Sequence, residues 1–369
     1  MRIRFEKRLT PSRFMLVATP IASVLLTMLL GAIIFELIGF DGPHAIYETF
    51  ITPIVASYKW QDVLTKAAPL IIIALGLSLG NQAKIWNIGA EGQYIIGALA
   101  GAGVAFVLPN APGFLIVPLM IAAGVVGGMA WAAIPAWLKT RFNVSEVLST
   151  LMLVYVALQV LNYLIGGPWK DPNGHNFPQT APFTPAESLP NVLPATVIPP
   201  GFVVAIVLTL VFWLLTTRSV YGFSVRTVGA APNAARYGGF DASGTVWSTL
   251  LISGGMAGLA GILEAMSQLG QINLGFPSGY GFTAIIVSFL GRLHPVGVFL
   301  AGLILAVTYV GGQVAQTVVH VPNATAGIFQ ATMLFFILAS DILVRYRVRV
   351  IREAPRAPSA KAATAEASA

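Results

Sequence analysis

The chain has 369 residues, 56% hydrophobic and only 9% charged, with a mean hydropathy of +0.79 and a net charge of +7. A soluble domain carries about a quarter charged residues, so this composition excludes a water-soluble globular protein. There are no cysteines, which excludes disulfides, thiolate metal sites and cysteine nucleophiles.

Residues 1–14 form a short basic arm. A membrane span needs about 20 mostly apolar residues. By that measure the chain predicts about ten spans, near 15–38, 64–80, 88–108, 114–138, 144–165, 200–217, 245–265, 279–291, 296–313 and 326–344. The expected fold is an all-α polytopic membrane domain over 15–345. The first run is too long for the apolar core of a signal peptide and is read as a retained helix. An even number of spans places both termini on one side. With that side cytoplasmic, eighteen of the 21 basic residues fall inside and only Lys59, Lys66 and Lys170 fall outside. This is the bias of the positive-inside rule. The positive charge is thus a topology signal and a contact for membrane lipids, and nucleic acid is not an expected partner.

The third run reads "IWNIGAEGQYIIGALAGAGVAF" over 85–106. Asn87 is expected to cap this helix. Glu91 falls in its first turn, where the helix dipole favours a negative charge, and is expected at a wet cytoplasmic end beside Lys84. Glycines cluster at 97–103, 124–128 and 254–261. Small residues three or four apart let helices approach closely. These seams predict a dense bundle with a partner across one of them.

Two loops interrupt the pattern. The first, about 166–199, is external and rich in Pro, Asn and Gly. It reads either as a connector or, through Trp169, Phe177 and Phe183, as a docking surface. The second, about 218–243, is cytoplasmic. Its "PNAARY" predicts a short helix with Pro232 in the first turn and Gly238-Gly239 at its end. It reads as a protein handle or as a turn on lipid headgroups. The eighth run is apolar for only about 11 residues, about 17 Å of helix against a core of about 30 Å. It is either a half-helix or a normal helix extended outward through Phe276 and Tyr280. The stretch 346–369, with its Ala/Pro/Ser-rich end, is expected to be a disordered cytoplasmic tail.

No G-x-x-x-x-G-K-[ST] frame and no G-x-S-x-G elbow occurs, and His44, His175, His294 and His320 lack metal-ligand spacing. The intramembrane carboxylates Glu36, Glu91, Glu146, Glu264 and Asp341 sit near predicted span ends, not mid-span as a proton-driven pump tends to need. No enzyme activity and no cofactor is expected.

Three stretches carry a resemblance. "NIGAEGQYIIGA" (87–98), "YGFSVRTVGAAPNAARYGGF" (221–240) and "YGFTAIIVSFLGRLHPVG" (280–297) resemble, in order, signatures of bacterial ABC-transporter permeases that import nucleosides and simple sugars. This is the branched-chain amino acid/ribose-type permease family. The chain is most similar to the larger permease of nucleoside importers. The resemblance implies two inverted halves and a multi-pass location in the bacterial inner membrane. It implies three protein partners: a cytoplasmic ATPase that hydrolyses the ATP, a second permease that is a different chain, and an extracytoplasmic binding protein. Asn87, Gly89, Glu91, Gly92 and Gln93 stand at the family motif. Ala231, Pro232, Asn233, Ala234, Ala235, Arg236 and Tyr237 match the helix that couples to the ATPase, with Arg236 expected to bond it. The external loop would lie under the docked binding protein. A nucleoside pathway needs polar partners for ribose and a stacking surface for the base. The candidates are Gln159, Asn162, Gln271, Asn273, Phe276, Tyr280 and Phe282. The alternatives are a permease for ribose-like sugars or a self-sufficient secondary transporter.

Overall fold

A backbone in lipid must satisfy its own hydrogen bonds, so long apolar runs become helices. The structure, a computed structural model, describes residues 2–7, 13–190, 198–322 and 325–351. The long helices among these are α1 (Arg13–Leu37), α4 (Trp60–Gln82), α5 (Ala90–Val107), α6 (Gly113–Phe142), α7 (Glu146–Gly166), α8 (Pro200–Arg218), α11 (Ala242–Glu264) and α13 (Pro295–Val318). These helices supply the eight stretches, among the described residues, that are long and apolar enough to cross a membrane, two of them extended by adjoining turns to Ser57–Gln82 and Ala242–Leu269. Two shorter apolar stretches are α12 (Tyr280–Leu290) and Gly327–Ser340 within α14 (Thr325–Arg345). Between α1 and α4 the chain makes short turns, α2 (Gly42–Ile46) and α3 (Thr52–Val55). Asp41 accepts the His44 N–H at 3.0 Å to start α2. On the face carrying Arg218 lie α9 (Val220–Ala230) and α10 (Pro232–Tyr237).

The basic arm and the tail differ from expectation. Arg2–Lys7 forms β1 and Tyr346–Ile351 forms β2, and the two pair antiparallel with Arg2 opposite Ile351. The first six residues of the expected disordered tail therefore form a strand, because the arm offers them a ladder. Residues from 352 onward lie outside the described residues. So do residues 191–197 of the external loop and the side chain of Asp341.

Helix α4 is the central post. From Ala67 to Gly80 every residue is buried, by α8, α11, α12 and α13. A helix apolar all round is a core element, and α4 fits that description. The glycine seams of α5, α6 and α11 meet one another. A Cβ on Gly97 would fall 2.2 Å from Gly258 Cα, one on Gly128 2.1 Å from Gly254 O, and one on Gly258 2.2 Å from Gly124 O. The expectation of a partner chain across a seam is corrected: all three runs are spent within this chain, because each has the smooth face that the others need.

Helix α12 is a half-helix. It is preceded by ten residues of irregular backbone, Gly270 to Gly279, and it ends in a turn where Arg292 and Leu293 both have positive φ. Asn81 Nδ2 donates to Ser288 Oγ at 3.2 Å and Gln82 Nε2 donates to the Leu293 carbonyl at 2.8 Å. These bonds tie the end of α12 to the end of α4.

Substituting Gly258→Leu places a side chain on backbone that cannot yield, and overpacking of this kind costs about 1–3 kcal/mol or more. The expected outcome is loss of a monodisperse, thermally stable protein in detergent. Gly166→Ala, where a Cβ meets nothing within 4 Å, should leave the melting temperature unchanged.

Candidate functional site

Three polar side chains at the start of α5 build the site. Asn87, Glu91 and Gln93 are all buried. Asn87 Nδ2 donates to Gln93 Oε1 at 2.7 Å and to Ser253 Oγ of α11 at 2.9 Å. Gln93 Nε2 donates back to Asn87 Oδ1 at 3.2 Å, which also accepts the Gly89 N–H at 3.1 Å. Asn87 is thus not the helix cap. The cap position is Gly89, without a side-chain bond, and Asn87 forms a turn before it. Gly89 and Gly92 press on α7. A Cβ on Gly89 would meet Thr150 O at 2.7 Å, and one on Gly92 would meet Val154 Cα at 3.0 Å.

Glu91 serves a different helix from the expected one. Its Oε1 accepts the Gly279 N–H at 2.9 Å and its Oε2 accepts the Gly281 N–H at 2.6 Å. The carboxylate therefore caps α12, where the first N–H groups of a helix lack partners and the dipole is positive. Gly281 makes this possible, since a Cβ there would lie 2.2 Å from Glu91 N. Gly279 adopts φ +75 to turn the chain into the helix. The expectation of a wet helix end beside Lys84 is corrected. Glu91 is 2% exposed, and backbone N–H groups satisfy it.

Beside this contact lies a cavity of about 430 Å³, between α4, α12, α13 and α14. Tyr280, Phe282 and Tyr309 give it aromatic walls, and Thr283, Gln313 and Gln330 give it polar ones. Tyr280 and Tyr309 stand edge to face with centroids 5.5 Å apart. Thr283 Oγ1 donates to Gln330 Oε1 at 3.0 Å and lies 2.9 Å from the Tyr309 hydroxyl. Lys66 also lines the cavity. Its Nζ lies 3.6 Å from Glu264 Oε1 and 5.4 Å from the centre of the Tyr280 ring. Behind Tyr280, Phe276 stacks on Tyr94 with centroids 4.8 Å apart.

Of the seven sequence-expected pathway residues, Tyr280 and Phe282 line this cavity and Phe276 backs it. Gln271 and Asn273 do not reach it. Gln271 Nε2 donates to Gln179 Oε1 at 3.3 Å, and Asn273 Oδ1 accepts the Gly275 N–H at 2.9 Å. Gln159 and Asn162 are exposed on the outside of α7, away from the cavity, because helix rotation was not legible from one polar residue per turn. Sequence reasoning missed Lys66, Thr283, Tyr309, Gln313 and Gln330. A lysine early in one span and Glu264 late in another were the readable signal, since intramembrane ions seek partners.

The external loop folds back onto the irregular segment. Thr180 N donates to the Ile272 carbonyl at 2.9 Å, and Thr180 Oγ1 accepts the Ile272 N–H at 3.0 Å. Trp169 packs edge-on against Phe106 at 5.1 Å, and Phe183 is buried. Of the three aromatics read as a docking surface, only Phe177 is exposed. At the other end, α10 forms over Pro232–Tyr237 as the spacing predicts, with Pro232 in its first turn and Gly238 at its C-cap. Ala235 is its buried anchor. Arg236 is exposed, and Tyr237 is 96% exposed. A cleft of about 700 Å³ separates Arg236 and Gly239 from Lys139 and Asn143. Tyr221 ties α9 to α11 through Ser248 Oγ at 2.8 Å. Burial pushes its phenol above the usual tyrosine range, and the Ser248 bond opposes this.

Residues 60–338 match the family described as branched-chain amino acid transport system, permease component. The chain belongs to this family. The match runs from the start of α4 into α14, so it includes the Glu91 contact, the cavity and α10, and the chain is a multi-pass protein of the plasma membrane. The permease-family chain is 35% identical over 362 residues to the glucose ABC transporter permease protein TsgB13 of Haloferax volcanii, covering 95% of this chain and 94% of the relative. It is 29% identical to the guanosine ABC transporter permease protein NupP of Bacillus subtilis, covering 89% and 94%. It is 26% identical to the nucleoside ABC transporter permease protein NupB of Lactococcus lactis, covering 89% and 92%. No solved structure matches.

In this permease-family chain, Glu91→Ala leaves the N–H groups of Gly279 and Gly281 without acceptors, each costing about 1–3 kcal/mol. Glu91→Gln keeps one carbonyl oxygen and loses less. Melting temperatures in detergent should fall in the order wild type, E91Q, E91A. An E91A protein that melts with wild type would show that the bonds contribute nothing to stability.

Proposed function

We propose that the chain is the transmembrane permease subunit of an ABC importer, forming the translocation pathway for nucleosides and driven by a separate ATPase. The observation that carries this reading is the cavity beside α12. Broken helices and irregular backbone are tolerated in a membrane where they are buried in protein or line a water-filled path. Aromatic rings suit a base, and the amides and hydroxyls suit ribose. The positive end of α12 is already taken by Glu91, so a neutral solute fits better than an anionic one. The names of the guanosine and nucleoside relatives support the same substrate class. A second reading, a simple sugar, is favoured by the higher identity to the glucose permease.

In this reading the chain has ten spans, the eight long ones with α12 and α14, and both termini in the cytoplasm. The pairing of β1 with β2 supports an even number, since it brings both ends together. Two inverted halves would make α5 and α12 the third span of each half. The meeting of their N-termini at Glu91 and Gly281 is what such a relation would produce. The chain hydrolyses no ATP itself. Its α10 would sit in a groove of the ATPase, with Ala231 to Tyr237 at the contact and Arg236 as the bonding residue. A second, different permease chain and an external binding protein would complete the importer, the latter over the 166–199 loop.

Cells expressing the chain with its ATPase, second permease and binding protein should take up labelled uridine and adenosine. Arg236→Glu should reduce uptake at least about tenfold, the loss expected from about 1.4 kcal/mol of coupling, while membrane insertion is unchanged. Uptake of glucose or ribose alone would select the second reading. Nucleoside uptake that persists without the ATPase would overturn the ABC reading.

A further inference from the structure

The translocation reading leaves one group in the cavity wall without an assigned task. Lys66 lies in the second turn of α4, after the polar residues Gln61, Asp62 and Thr65 and directly before the buried run that begins at Ala67. Ionisable side chains at membrane depth are costly and mark function. A buried ion pair is also a weak stabiliser compared with apolar residues of the same size, so packing alone does not account for Lys66 and Glu264.

Their placement does. Glu264 is 5% exposed and does not line the cavity, whereas Lys66 is 26% exposed and does. The separation of 3.6 Å is longer than the roughly 2.7–2.9 Å of a tight charge-assisted hydrogen bond. A lysine has three donors. The carboxylate draws on one side of the ammonium and the Tyr280 ring on another, through the attraction of a cation for an aromatic face. Lys66 also lines the cavity, together with Tyr280, Tyr309, Gln313 and Gln330.

We propose that Lys66 contacts the transported solute and, with Glu264 as the positioning residue behind it, favours a neutral solute over a phosphorylated one. The ammonium donates to a hydroxyl, ether or carbonyl oxygen of a neutral solute lying against the tyrosines. The carboxylate cancels the charge, so a phosphorylated solute gains little there. This rests on the reading of the cavity as the pathway, and it holds for a nucleoside or a sugar alike.

The test uses the assembled importer in nanodiscs. The chain has no cysteine, so Gln313→Cys gives it a single thiol in the cavity, whose alkylation by a charged maleimide is followed on this chain by mass. Uridine or glucose should slow the alkylation. Lys66→Met should raise the protecting concentration at least about tenfold, as loss of a hydrogen bond from a charged donor does, and Lys66→Arg should raise it less. Glu264→Gln should make uridine 5′-monophosphate protective where it was not. If K66M alone assembles poorly, the double variant K66M/E264M removes both charges and should show the same rise. An unchanged protecting concentration in both K66M and the double variant overturns the role of Lys66 while leaving the pathway reading intact. Alkylation that neither solute slows, and that leaves uptake as it was, overturns the pathway reading and this proposal together.

Discussion

Irregular backbone at membrane depth has to find its hydrogen-bond partners inside the protein, because the surrounding hydrocarbon offers none. The ten residues before α12 have irregular backbone, and the architecture around the cavity depends on how their polar groups are satisfied. Glu91 supplies two acceptors at the helix start. The external loop supplies Thr180, and Asn273 closes its own turn. With those groups bonded, α12 can begin partway through the bundle. The space its missing turns would have filled is available for the cavity.

The rest of the packing supports that arrangement. Glu91 can reach α12 only because Gly281 brings the two backbones together. The start of α5 is itself fixed by Asn87, Gln93 and Ser253 on one side and by Gly89 and Gly92 against α7 on the other. The glycine seams lock α5, α6 and α11 at backbone contact. In that position the end of α11 presents Glu264 to Lys66. One polar cluster, one glycine seam and one half-helix thus converge on the same wall.

On the proposed reading this geometry divides the labour within the chain. The helices around α4 hold a rigid frame, the cavity meets the solute, and α10 stands outside the frame, held to it chiefly by Ala235. A short helix with one buried anchor and an exposed Arg236 and Tyr237 is suited to passing a partner's movement into the bundle. No energy source is required within the membrane domain itself.

How much of this was legible beforehand depended on range. Apolar runs fixed the long helices, because span length and hydropathy are local properties. The short helix at "PNAARY" was equally local, written in a proline and two glycines. The shortness of α12 was readable as a question, and the buried backbone contact of Gly281 answered it. The polar residues of "NIGAEGQ" were readable as important, but not their targets. Glu91 bonds residues 188 and 190 positions away, and Lys66 pairs with a residue nearly 200 positions on. Hydrophobicity and turn chemistry act between neighbours, so the sequence alone determined a membrane bundle and its family. Which carboxylate caps which helix, and which side chains share a cavity, are set by how helices rotate and cross. That is decided by close packing between distant segments, and only the tertiary structure contains it.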